Sequence, residues 1–173
     1  KQVMENTQVR FANISIKASN EFMVAVNEEK KYGKNKFLVY KKFNKTSVME
    51  AQQDEESVHY SYGIPSKNID DYELLNNFDN VSDLDKWLSK EYGTNVSSAS
   101  LNDSSKRDVY GDLNIKLNSE DYDLAIKQSG DFLLYFDSPQ TNEVRELIKA
   151  RDIWDQFIEG NYRTAEPGII FWT

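Results

Sequence analysis

The side chains that do chemistry are few in this chain. Cysteine is absent, which removes thiolate metal sites, a thiol nucleophile and any disulfide. His59 is the one histidine, and with no nucleophile pattern beside it we read it as structural. Carboxylates group at Asp54-Glu55-Glu56, Asp70-Asp71 and Glu120-Asp121, where oxygen ligands can hold a hard cation. None of these groups has the alternating spacing and glycine of a calcium loop, so solvated acidic surface is the simpler reading. Lys30 to Lys45, KKYGKNKFLVYKKFNK, interleaves seven lysines with Tyr32, Phe37, Tyr40 and Phe43. That pattern suits a nucleic-acid or phosphate surface. It also suits a sheet edge guarded by lysines, and the edge strand is the preferred reading. No glycine-rich phosphate loop, zinc-binding helix or serine elbow occurs. No catalytic, cofactor-binding or metal-binding residue is therefore assigned.

The elements that would position any site follow from charge and periodicity. A length of 173 residues suits one domain with a sizeable core. The formal charge of −8 is unevenly spread: residues 44–143 carry 20 Asp and Glu against 8 Lys and Arg, while the flanks are net basic. Such a boundary marks the middle as a different kind of segment, an acidic insertion between two core-forming flanks. Overall acidity argues against nucleic acid as the main partner. No apolar run approaches the roughly 20 residues of a membrane span, so no membrane partner is expected. The first 30 residues lack a signal-peptide pattern, and a cytoplasmic location is the default.

Gln8 to Lys17 alternates as a strand, and SNEFMVAVNEEK follows it directly as a helix. Ser19 or Asn20 is the cap, and Phe22, Met23 and Val26 form the apolar stripe. Near the other end, Ile153, Trp154, Phe157 and Ile158 share one helical face, and Gly160 is the expected stop. Pro167 and Gly168 then turn the chain into the apolar run GIIFW. The flanks thus read strand-helix, a long excursion, helix-strand. Within the excursion, Val81 to Gly93 is the clearest helix, with Ser82 as cap and Gly93 as stop. Asp112 to Leu117 and Asp131 to Asp137 read as strands, DYDLAIKQSG between them as a further strand in preference to a short helix, and NVSSASLNDSSKRD as an exposed loop. Leu84, Trp87, Leu88, Ile115, Phe132 and Leu134 are the expected core of the excursion.

Two stretches resemble consecutive pieces of the catalytic barrel of ribonucleotide reductase: RFANISIKASNEFMVAV and KARDIWDQFIEGNYRTAEPGIIFW. The likeness is closest to the adenosylcobalamin-dependent class. It rests on the strand-helix around Asn13 to Met23, on Ala150 to Asp155, on Ala165-Glu166-Pro167-Gly168, and on Phe171-Trp172. It covers a quarter to a third of the chain. The resemblance implies an α/β fold: part of a ten-stranded α/β barrel, two strands with their covering helices, with an inserted α+β subdomain. Its divisions are 1–43 and 144–173 for the barrel pieces and 44–143 for the insertion. It further implies a fragment of the catalytic subunit, whose partner is the remainder of that subunit. Ribonucleotide substrate, nucleotide effectors and adenosylcobalamin belong to the complete enzyme. The family works through a thiyl radical and a cysteine pair, and none of its catalytic residues maps onto a position here. This chain alone is expected to be inactive and to bind no cofactor, and its strand edges are candidates for self-association. The alternative is a self-contained acidic α+β binding module whose two end strands pair with each other.

Overall fold

A computed structural model of the chain describes residues 15–43, 67–108, 110–138, 142–164 and 168–172. The first flank gives β1 (Ser15–Ser19) and α1 (Asn20–Tyr32). Ser19 caps the helix, its hydroxyl accepting from the Phe22 amide, and Gly33 closes it with φ +104°. The last flank gives β7 (Asn142–Lys149), α4 (Ala150–Thr164) and β8 (Gly168–Trp172). β1 and β8 pair in parallel, from Ser15 opposite Gly168 to Ser19 opposite Trp172. The expected strand-helix…helix-strand frame is therefore present, and its two strands are direct neighbours. Gly160 does not stop α4, which continues to Thr164. Nothing stands within 4 Å of the site a Gly160 Cβ would occupy, and no turn is imposed there. The earlier part of the expected first strand, Gln8 to Ile14, and Pro167 lie outside the described residues.

The excursion forms a four-stranded antiparallel sheet in the order β3-β2-β5-β4. Its strands are β2 (Phe37–Phe43), β3 (Tyr72–Phe78), β4 (Leu113–Ile115) and β5 (Tyr122–Gln128). Asp131–Ser138 is β6, which pairs with β7 as a hairpin. The lysine-rich segment is thus not an edge. β2 lies inside the sheet between β3 and β5, and its lysines are matched locally: Lys36 to Asp79, Lys42 to Asp108, and Lys41 over the Tyr122 ring. The division after residue 43 falls behind a strand that belongs to the inserted sheet, and the division after residue 143 cuts through β7.

Strand alternation gives this sheet two unlike faces. Val39, Leu124 and Ile126 meet Leu84 and Leu88 of α2 (Val81–Tyr92) and Leu101 of the short α3 (Ser98–Asn102) in one apolar core. Trp87 and Ile115 pack against that core as expected. Phe132 does not; its ring meets Phe22 edge-on at 5.4 Å and joins the Ala25, Val26, Ala150 and Trp154 cluster between α1 and α4. Leu134 is exposed. The stretch taken for an exposed loop contains α3 and the 3-10 turn Ser104–Lys106, and it buries Leu101 and Arg107.

The cap of α2 is Asn80 rather than Ser82. Its Oδ1 accepts from the Asp83 amide at 2.9 Å while its Nδ2 donates to the Asp83 carboxylate at 2.8 Å. Gly93 ends the helix in the left-handed conformation, φ +63°, as expected. Asn80→Ala should lower stability by about 1 kcal/mol. The effect would show as a lower urea midpoint at unchanged slope, and Asn80→Asp should retain most of it. An Asn80→Ala chain with the parent's midpoint would mean that the cap contributes nothing.

Candidate functional site

α1 presents two inward faces. Phe22 and Val26 turn to α4 and β6. Glu21, Ala25 and Glu28, spaced at i, i+4 and i+7, form the second stripe, and this one is mostly carboxylate. Glu28 is 2% exposed, which costs several kcal/mol for an unpaired charge. Three donors offset that cost: Lys127 Nζ at 2.9 Å, the Gly130 amide at 2.9 Å and Tyr40 Oη at 3.2 Å. Burial, and next the Glu28 charge, push the Tyr40 phenol far above its ordinary range, so it stays protonated and donates.

In the first turn of α1, Glu21 accepts from the Lys67 amide. Burial raises the Glu21 carboxyl above its usual value, against the lowering effect of Lys67. Lys67 Nζ reaches the fully buried Asp112 at 2.5 Å and lies 3.8 Å from the centre of the Tyr72 ring. Burial, then Asp112, push the Tyr72 phenol upward. Asp108 holds the approach to this pocket, accepting from the Tyr110 and Asp112 amides and from Asn114 Nδ2.

A carboxylate, a lysine and a tyrosine in contact are groups able to move a proton. Here they are closed off: Glu28, Lys127 and Asp112 are 2%, 7% and 1% exposed. The arrangement holds elements together, and its Glu28, Lys127 and Asp112 side chains are out of reach of a substrate.

A cavity of about 180 Å³ opens elsewhere, between β1, β8, α1, α4 and β6. Ala18, Phe22, Phe132, Trp154, Phe157 and Ile169 are among its lining residues, and the lining is almost wholly apolar. It offers shape and no catalytic group.

Of the residues singled out from sequence, Tyr40 reaches the Glu28 cluster, while the described carboxylate pairs stay apart. His59 and Asp54-Glu55-Glu56 lie outside the described residues. Asp70 and Asp71 form a 3-10 turn capped by Asn68, and Glu120 and Asp121 are exposed just before β5. Among the described residues, no group of three His, Cys, Asp or Glu side chains is placed to hold a metal ion. No helix among them is long and apolar enough to cross a membrane. Sequence reasoning misses the buried Glu28, Asp112 and Lys127 and the half-buried Glu21 and Lys67; the i, i+4, i+7 stripe on α1 is the available signal.

The described residues combine helices and sheets: a parallel strand pair whose members are separated in sequence by a four-stranded antiparallel sheet, with buried ion pairs between the elements. The chain is 31% identical over 104 aligned residues to the vitamin B12-dependent ribonucleoside-diphosphate reductase of Thermoplasma acidophilum. The match takes in 54% of this chain and 13% of that protein, a partial and distant relationship to an oxidoreductase. No family model matches the chain, and no solved structure matches it significantly.

Proposed function

We propose that the chain is a segment of the catalytic subunit of an adenosylcobalamin-dependent ribonucleotide reductase and contributes scaffold to it. The observation that carries this reading is the match to the archaeal enzyme. The parallel pairing of β1 with β8, each followed or preceded by its helix, supports it, because neighbouring strands of an α/β barrel have this geometry. Two barrel strands, α1, α4 and the inserted α+β body are then this chain's part. Each strand of the pair has an outer edge with no strand on it among the described residues, and Ile170 and Phe171 are 49% and 61% exposed there. The rest of the barrel is the partner for those edges.

The cofactor has no fit here. Its chemistry in this family passes to a cysteine, and the chain has none. The cavity is lined by apolar side chains and Ser19, with no side chain suited to hold a cobalt ion. Ribonucleotide, effectors and adenosylcobalamin therefore belong to the complete enzyme. The purified chain given adenosylcobalamin and dithiothreitol should form no deoxynucleotide, and activity should appear only on mixing with the complementary part of such a reductase. Turnover by the chain alone, or a complementary part fully active without it, would overturn the reading. A second reading, a self-contained binding module, is favoured by the pairing of the two end strands with each other and by the separate core of the insertion. Complementation with the reductase remainder separates the two.

A further inference from the structure

We infer that Glu28 is the clamp that makes the inserted sheet and the α1–α4 unit open and close as one body. The inference does not depend on the reductase reading. It rests on where the three donors to one carboxylate come from. Tyr40 lies on β2, Lys127 on β5, and Gly130 in the turn between β5 and β6. Glu28 itself lies on α1, so the sheet is held to the helix at three points through a single side chain.

The connection continues past Glu28. Gly130 donates its N–H to Glu28 and accepts at its C=O from the Ala150 amide, the first residue of α4, at 2.8 Å. One glycine residue thereby bridges α1 to the start of α4. Lys149, the residue before, secures the same turn through Ser129 O at 2.8 Å, Asp131 Oδ1 at 2.8 Å and Gln128 Oε1 at 3.2 Å. Gly130 has φ +79°, and a Cβ there would stand 3.0 Å from Glu29 Cγ. The left-handed φ favours glycine here, and any side chain would also have to push Glu29 aside. A buried charge with all its partners in place is a demanding contact: it is favourable in one geometry and costly in every partly opened one. An apolar contact in the same place would tolerate sliding. The clamp therefore couples the two halves more sharply than apolar packing would.

Native-state hydrogen exchange on the full chain under mild denaturant tests this. In the parent, the amides of Val26, Leu88 and Gly130 should exchange with one common denaturant dependence. In Glu28→Gln, exchange at Val26 and Gly130 should rise on the order of a hundredfold while Leu88 stays near the parent. If Glu28→Gln does not fold, the double variant Glu28→Leu/Lys127→Leu removes both charges; it should fold and still show faster exchange at Gly130. Separate denaturant dependences in the parent would overturn the inference. So would equal acceleration at all three amides in Glu28→Gln, or none.

Discussion

Lys127→Met should destabilise the chain by about 3–5 kcal/mol, because it leaves the Glu28 carboxylate buried without its cation. The side chain is 7% exposed and its partner 2%, so water cannot replace the ammonium without opening the fold. Gly130 and Tyr40 still donate in the variant, but neither carries a charge. Denaturant unfolding measures the loss directly. Adding Glu28→Leu to Lys127→Met should recover most of it, since an apolar pair of similar volume often replaces a buried ion pair without loss. A single variant within 1 kcal/mol of the parent, on the scale of an exposed pair, would show that the pair is solvated in solution and that the clamp does not exist.

Leu124→Ala should cost about 2–5 kcal/mol. Leu124 is fully buried at the centre of the inserted sheet, opposite Ile115 on one side and Lys41 on the other, in the core shared with Leu84 and Leu88. Strands flank β5 on both sides and α2 covers the face, so little can collapse into the void. Leu134→Ala is the contrast: Leu134 is 45% exposed, and its truncation should stay within about 0.5 kcal/mol. Thermal unfolding of the two variants side by side provides the measurement. Equal shifts would mean that the core is not where Leu124 places it.

Much of the frame was legible because its helices carry a clean period. Phe22 and Val26, and Trp154 with Phe157, are enough to set α1 and α4, and Ser19 before α1 and Gly93 after α2 act through simple backbone geometry. The excursion was less legible for three physical reasons. Good caps compete: Asn80 and Ser82 both suit an N-terminus, and only the reciprocal bonds to Asp83 favour the first. Lysines do not report exposure, since Lys41 and Lys42 find an aromatic ring and a carboxylate beside a central strand. Serine-rich composition hid the helical turn that buries Leu101. The polar interior was missed because hydropathy treats Glu21 and Glu28 as solvent-facing, whereas their partners Lys67 and Lys127 lie 46 and about 100 residues further along the chain.

The pairing of Ser15 with Gly168 also bears on the order in which the chain assembles. Joining two points separated by about 150 residues of flexible chain costs roughly 4 kcal/mol of closure entropy, recovered only once the strands are zipped. The antiparallel pairs β4–β5 and β6–β7 connect neighbours in sequence and close at far smaller cost. Once they and β2–β5 exist, the Gly130 turn already lies against α1 and the start of α4. The long loop has then become a short one, from Ser19 through α1 and Gly130 to Ala150. The excursion that separates β1 from β8 in sequence thus shortens the loop their pairing must close, and loop entropy alone would place the parallel pair late in folding.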